Sequence, residues 1–337
     1  MVSPWSTVAI TSDDLFRDAQ ATFLSTYRNV LGRNAKLPYV MRLGLSSNKR
    51  RERYGYAESP PTIDRVDIGQ PLTEDAYRYI AYEVKNLTWG KAVGYFEEDL
   101  EDLQLGDIRD QVRQLAKRAA AISEEVFFQI LTGASSARLL DAIPLAPDGA
   151  ALHSATDGNG ANRFGVAGGN IVTGSGVLTG QAIRDDLWAT LEQFKLFQDT
   201  EGEPLLSDDI MDRGVTIVAA ASNEQVLRQG LMQSRTAIAA STANSNAAVT
   251  NTIIESGIPI TLWTTQRLTD NDWYVFMNDT AEGPKPVFEQ VRRPMRMQDE
   301  TRDNSERARR YRILSTLLDM RAGYGVNVPY LTCKVNN

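Results

Sequence analysis

An apolar stripe restricts the fold of this chain more than any other feature. Leu105, Ile108, Val112, Leu115, Ala119, Ile122, Val126 and Ile130 recur at spacings of three and four, the repeat that puts side chains on one face of an α-helix. The spacing predicts one helix of about 25 residues over 105–132, roughly 37 Å long at 1.5 Å per residue. Asp107 stands where an N-cap belongs and Gly133 where a left-handed C′ residue belongs. The other face, Arg109, Asp110, Arg113, Gln114, Lys117 and Arg118, is charged. A coiled coil is the competing reading, but the stripe ends after about four heptads and elements that need a partner follow it. With 42% hydrophobic residues among 337, there is apolar material for one large or two modest cores.

Ahead of the rod, Leu15, Ala19, Phe23, Tyr27 and Val30 mark an amphipathic helix from Asp13 to Leu31, stopped by Gly32. Such a helix cannot bury its stripe alone, so it is expected to lie on something else, either another copy or its own domain. Residues 49–90 read as a two-stranded excursion. The outgoing arm runs from Lys49 to Tyr56 and the returning arm from Tyr77 to Val84, with Pro60-Pro61 between them. Aromatic and β-branched residues at period two favour strands. Each arm places polar groups on both faces, so neither face reads as a core face. A lone hairpin of this kind is marginal, which predicts that it lies across another chain or remains a surface hairpin.

Beyond the rod, Pro144 to Gly180 shifts to Gly, Ala, Asn, Ser and Thr and reads as a long loop. A helix is expected over Ile183–Phe197, then a strand over Val215–Ala220 and a short helix over Asn223–Met232. The uncharged stretch from Thr236 to Asn251 reads as a mobile loop. Strands are expected over Ile258–Trp263, Trp273–Met277, Val287–Met297 and Tyr311–Met320, with an extended run from Asn327 to Val335. Strands and helices alternate without a βαβ count, so the fold class is α+β.

Chemistry finds few footholds. His153 is the only histidine, and imidazole is the usual proton shuttle near neutral pH. Cys333 is the only cysteine, which excludes an internal disulfide and multi-cysteine metal sites. Gly174-Ser175-Gly176 with Gly180 is one residue too long for a dinucleotide fingerprint and follows a loop. Gly133-Ala134-Ser135-Ser136-Ala137 leaves a helix where a nucleophile elbow would enter one. Asp148-Gly149 and Asp157-Gly158-Asn159-Gly160 fail the calcium-loop spacing and read as turns. These features predict no catalytic, cofactor-binding or metal site. Met1 to Ile10 lacks a signal-peptide pattern and no window reaches about 18 uninterrupted apolar residues, so the expectation is a soluble chain with no membrane contact.

The charge runs are more informative. Glu97, Glu98, Asp99, Glu101 and Asp102 precede the rod, while Lys49, Arg50, Arg51 and Arg53, then Arg292 and Arg293, then Arg309 and Arg310, form separate basic clusters. Most such runs are solvated faces. If many copies meet edge to edge, opposite-sign clusters register the contacts, which makes these thirteen residues the candidate intersubunit contacts. The balance of 36 Lys+Arg against 43 Asp+Glu, net −7, lacks the basic footprint of a nucleic-acid-gripping protein.

The order of these parts resembles one family, the major capsid proteins of tailed bacteriophages with the Hong Kong 97-type fold, and within it the Mu-like head subunits. The carrying motifs are Asp148-Gly149-Ala150-Ala151-Leu152-His153-Ser154 followed by Gly160-Ala161-Asn162, and Thr200-Glu201-Gly202-Glu203-Pro204-Leu205 ahead of the strand at Val215. Asn223-Glu224-Gln225, Gly257-Ile258-Pro259-Ile260, Asp299 to Asn304 between two long strands, and Arg321-Ala322-Gly323-Tyr324 complete the set. The resemblance spans about residues 40–335, its motifs are individually short, and their order is the specific part.

It implies an N-terminal arm (1–40), an extended E-loop hairpin (41–92), a peripheral domain (93–200) with a spine helix at 105–132 and a Gly-rich insertion at 140–180, and an axial domain (201–284). Long peripheral strands (285–321) and a C-terminal extended segment (322–337) follow. It further implies a structural protein of the virion, assembled in the host cytoplasm, whose hexamers and pentamers close an icosahedral shell around double-stranded DNA held by weak, non-specific contacts. Cement, scaffolding and portal proteins are the other partners it implies. No long cleavable scaffolding segment precedes the arm, so scaffolding is expected from a separate protein or from a part already removed. An encapsulin-type compartment shell and a carboxylate-dependent hydrolase are the alternatives.

Overall fold

The structure, a computed structural model, describes residues 12–33, 36–59, 78–96, 105–207, 212–233, 235–237, 248–278, 283–300 and 305–337. The apolar stripe forms two helices where one was expected: α3 over Leu105–Ala120 and α4 over Ile122–Thr132. They follow α1 (Ser12–Arg33) and a short α2 (Leu37–Val40). At the break, the Ala121 amide donates to both Lys117 and Arg118 carbonyls at 3.2 Å, the shared bond of a tightened last turn. No Gly or Pro marks this break, so residue pattern alone could not locate it. Gly133 closes α4 in the left-handed conformation, φ 70, as expected. Asp107 falls inside α3 and is not its cap.

The amphipathic α1 packs against α3 of its own chain. Phe23 is fully buried, stacked on Tyr27 at 5.8 Å, and shares one core with Val112, Ala116 and Ala119. Asp18 Oδ2 accepts a bond from Arg109 Nε at 2.5 Å across the same seam. Ala19 and Phe23 of the arm stripe therefore find their cover in cis, so of the two expected partners it is the chain's own domain that takes the helix.

Two sheets carry the rest. The first has four strands in the order β1 (Met41–Ser46), β11 (Val287–Glu300), β12 (Ile313–Val326), β4 (Leu87–Phe96). A helix, Glu306–Tyr311, lies between the two long strands, where the sequence pattern shows only a turn and a strand start; residues 301–304 of that expected turn lie outside the described residues. The second sheet has five strands in the order β5 (Ile171–Thr173), β13 (Thr332–Asn336), β10 (Trp273–Met277), β6 (Val215–Ala220), β9 (Ile260–Thr265). It takes β5 from the Gly-rich stretch and β13 from the C-terminal run, so this unit crosses the sequence boundaries drawn at 200 and 321. Strand pairing, which sequence order does not encode, brings them together.

The runs Val215–Ala220, apolar but for Thr216, and Trp273–Met277 are buried on both faces, as such runs are when a sheet is covered twice. Their alternation sends Val215, Ile217, Ala219, Trp273, Val275 and Met277 into one core, with Ile183, Leu187, Leu191 and Phe194 of helix Gly180–Lys195. Val218, Ala220, Tyr274 and Phe276 enter the other core, where Phe127 of α4 stacks on Trp263 at 5.8 Å. The helix expected over Ile183–Phe197 ends at Lys195, and Leu196, its C-cap, is 56% exposed. The stretch 236–251 contributes two short paired strands, Arg235–Ala237 and Ala248–Thr250, with 238–247 outside the described residues.

The excursion is a hairpin of β2 (Arg51–Ser59) and β3 (Arg78–Lys85), with its turn outside the described residues. The register pairs Tyr54 with Tyr82 and Tyr56 with Ile80 on one face, and Arg53 with Glu83 and Gly55 with Ala81 on the other. The first face lies on the chain's own body: the Tyr54 ring meets Phe288 edge-on at 5.0 Å, and the Tyr82 hydroxyl donates to Asn327 Oδ1 at 3.2 Å. One face is therefore an aromatic packing face, contrary to the sequence reading. Glu52, which breaks the pattern, is used in the turn at the hairpin root.

Replacing Phe23 by Ala should cost about 3 kcal/mol, the usual range for an emptied aromatic site. Chemical denaturation measures the loss, and limited proteolysis should cut first within 12–33; unchanged stability would place the arm off the body.

Candidate assembly surfaces

At the hairpin root, four elements meet in a chain of buried polar groups. Ser47, Asn86 and Gln290 are each at most 3% exposed. Gln290 Oε1 accepts from the Tyr54 hydroxyl at 2.6 Å, and its Nε2 donates to Val84 O at 3.1 Å and to Asn86 Oδ1 at 3.0 Å. Asn86 Nδ2 donates to Ser47 Oγ and Lys49 O, both at 2.7 Å. Ser47 Oγ donates to Glu52 Oε1 at 3.1 Å, which also accepts from the Asn48 and Lys49 amides at 2.9 Å. Those amides hold the Glu52 carboxyl below the usual range, Lys49 first. Buried amides left unbonded are costly, so the set is expected to persist as a unit. Nothing in the sequence pattern singles out Ser47, Asn86 or Gln290; only the three-dimensional register does.

The candidate contact residues separate into three groups. On the outer hairpin face, Arg53 Nε pairs with Glu83 Oε1 at 2.7 Å and Arg51 with Glu83 Oε2 at 3.5 Å, which pulls the Glu83 carboxyl down, Arg53 being the main cause. Arg293 and Arg296 share Asp319 across β11 and β12, the Arg296 bond at 2.6 Å, and Arg310 reaches Glu306 at 3.4 Å within its own helix. Lys49, Arg50, Arg292 and Arg309 are exposed. Glu97, Glu98, Asp99, Glu101 and Asp102 lie outside the described residues, between the ends of β4 and α3. The structure thus engages Arg51, Arg53, Arg293 and Arg310 in ion pairs of their own chain.

The Gly-rich loop is stapled from within. Arg163, 1% exposed, donates to Asp148 Oδ2 at 2.6 Å and Oδ1 at 3.0 Å, and to Ala151 O and Leu152 O. Asn170, fully buried, donates to Leu152 O at 2.8 Å and to Pro329 O and Thr332 O at 3.1 Å. Asp157 Oδ1 accepts from the Asn159 and Ala161 amides, which is turn chemistry. A Cβ on Gly158 would lie 2.6 Å from Asp148 O, so only glycine fits there.

His153 lies against Tyr274, ring centroids 5.2 Å apart, and shares a 3.1 Å bond with Thr332 Oγ1. Burial, with the Arg163 guanidinium second, pushes its pKa down to about 3. Burial likewise pushes the Cys333 thiol up. Neither group is poised for proton transfer or attack at neutral pH. Among the described residues no group of three or more His, Cys, Asp and Glu could hold a metal ion, and no helix is long and apolar enough to cross a membrane.

The hairpin overhangs two cavities. One of about 310 Å³ lies between Tyr56, Ile80 and the loops carrying Asp148, Phe164 and Thr200. The other, about 370 Å³, lies among Arg42, Tyr54, Tyr82, Lys285 and Phe288.

A family model described as phage capsid protein matches residues 81–328. No curated protein sequence matches. Among solved structures, the capsid of an empty GTA particle superposes with a TM-score of 0.55 at 11% identity, covering 89% of each chain. The capsid of cyanophage P-SCSP1u gives 0.52 at 12% identity, covering 88% of this chain and 86% of that one. The mature capsid of bacteriophage PhiM1 gives 0.51 at 11%, covering 90% and 87%. These likenesses establish the Hong Kong 97-type fold; the family model does not single out the Mu-like branch.

The folded pKa of His153 lies below its unfolded value of about 6.5, so the unfolded chain takes up this proton first. Its contribution to stability is complete above pH 6.5 and is lost as pH falls toward 3. At pH 5 the loss is on the order of 1–2 kcal/mol. Denaturation at pH 7 and pH 5 should therefore show a smaller drop for His153→Gln than for the parent; equal drops would contradict the burial of this ring.

Proposed function

The chain belongs to the phage capsid protein family, and on that premise we propose that its copies assemble as hexamers and pentamers into a closed icosahedral shell around double-stranded phage DNA. The role is structural. The observation that carries this reading is that the family match, 81–328, takes in the spine helices, three strands of the four-stranded sheet and four of the five-stranded one. In this reading α1 is the N-terminal arm and β2–β3 is the E-loop. The four-stranded sheet with α3 and α4 serves as the peripheral domain, and the five-stranded sheet with its covering helices serves as the axial domain.

The hairpin supports the reading physically. Its aromatic face is seated on the body, leaving the charged face of Arg51, Arg53 and Glu83 outward. Charged rims steer and register neighbours more than they add affinity. Lys49, Arg50 and Arg292 are the basic residues we assign to contacts between copies, with Glu97, Glu98, Asp99, Glu101 and Asp102 as their opposite-sign partners on the neighbour. Arg51, Arg53, Arg293, Arg309 and Arg310, already engaged in their own chain, contribute there already oriented. A chain of net charge −7 suits a lining that touches DNA weakly, since each phosphate contact adds salt-dependent adhesion. Scaffolding, cement and portal proteins complete the proposed partners, with assembly in the host cytoplasm.

The purified chain should form closed particles of uniform diameter in negative-stain micrographs; a monomer at every concentration and salt tested would overturn the proposal. Reversing Lys49 and Arg50 to Glu should cut particle yield several-fold. The unassembled subunit should change in stability by no more than about 0.5 kcal/mol, as exposed substitutions do. Undiminished yield would remove the basic cluster from the contact.

A further inference from the structure

We infer that Gln290, Asn86 and Ser47 are positioning residues for assembly: their hydrogen-bonded chain bolts the hairpin root to β11 and sets the direction in which the hairpin leaves the body. The inference rests on the shell reading above and deepens it. Gln290 spends its whole amide on the hairpin root, accepting from Tyr54 of β2 and donating to Val84 of β3 and to Asn86 just beyond it. Asn86 passes the connection to Ser47, whose own amide is held by Val291 O at 3.2 Å. Both ends of the hairpin are thus tied to two consecutive residues of one strand.

Two further observations separate a bolt from ordinary core satisfaction. The first is the space left for it. Gly323 stands opposite Gln290 in the β11–β12 register, and a Cβ there would lie 2.8 Å from Gln290 Nε2, 2.8 Å from Lys85 O and 3.1 Å from Asn86 Oδ1. The second is the packing around it. Open clefts of about 310 and 370 Å³ border the seated face of the hairpin, so its apolar contacts are interrupted at the surface. Apolar contact over such a gapped surface tolerates several hairpin angles. Directional bonds to buried amides select one.

The test uses two variants of the full chain that perturb the bolt in different ways. Gln290→Leu keeps the bulk and removes all three bonds; Gly323→Ala keeps every polar group and wedges the chain apart. Val335→Ala, in the five-stranded sheet, is the control for general destabilisation. In unassembled protein, hydrogen exchange of the 51–56 and 80–85 amides should accelerate at least tenfold in both root variants, with β6 and β10 unchanged. Their particles should become heterogeneous in diameter, while the control, compared at equal loss of Tm, should still form uniform ones. Unchanged exchange in both root variants would overturn the bolt, and a control that assembles equally badly would overturn its role in assembly. Failure of the parent chain to assemble would instead overturn the shell reading, and with it the assembly role, while the exchange measurement would still decide the bolt.

Discussion

The pairing of β11 with β12 is the constraint on which the rest of the molecule hangs. Within it, three consecutive pairs, Glu289 with Tyr324, Gln290 with Gly323 and Val291 with Ala322, hold nearly everything that attaches to the four-stranded sheet. Successive residues of a strand face opposite sides. Glu289 Oε1 turns one way, accepting from Ser123 at the start of α4 at 2.7 Å and from the Tyr324 hydroxyl at 2.9 Å. Gln290 turns the other way, to the hairpin root. Trp89 of β4 donates its indole N–H to Ala322 O at 3.3 Å from the flanking strand. A slip of one residue would exchange the two faces, sending the helix clamp toward the hairpin and the hairpin bolt toward the helices. Register here is therefore set by polar residues as firmly as by apolar ones.

That dependence explains which parts of the fold were legible in the sequence. Elements whose signal is local were clear: the stripe of α3 and α4, the doubly buried runs of β6 and β10, the Gly133 stop, and the turns built on Asp157. The order of parts identified the family before any coordinates did. What was not legible is what forms only when distant segments meet. The break at Ala121 carries no Gly or Pro, because a shared amide bond within an unbroken apolar stripe is enough to make it. The seated face of the hairpin was hidden by Glu52, a charged residue in an aromatic row, whose carboxylate caps the root turn. The bolt residues Ser47, Asn86 and Gln290 look in sequence like any surface polar residue, and Gly323 like any strand glycine.

The arm and the loop histidine show the same limit from the other direction. The amphipathic stripe of α1 correctly announced a helix with one apolar face, but a stripe does not name its partner, and α3 of the same chain supplies it. His153, between Leu152 and Ser154 in a polar loop, reads from its neighbours as either exposed or locally hydrogen-bonded, and its sequence does not say which. Its burial follows from Asn170 and Arg163, which fold the polar loop inward by satisfying backbone carbonyls that would otherwise need water. A Gly-rich stretch is a mobile loop only when its carbonyls have no better donors; here two buried side chains provide them.

The shell reading gains from these corrections. If the arm and the hairpin had needed sister copies to bury any apolar surface, the free subunit would carry large sticky faces and would aggregate before it assembled. With Ala19 and Phe23 of the arm covered by α3 and the aromatic hairpin face seated over Phe288, these described apolar groups are covered within one subunit, which presents charge on the hairpin's outer face. Association can then proceed through many weak, screened contacts that form and release until a closed arrangement is found. Closure, which satisfies all of them at once, is what makes such weak contacts sufficient.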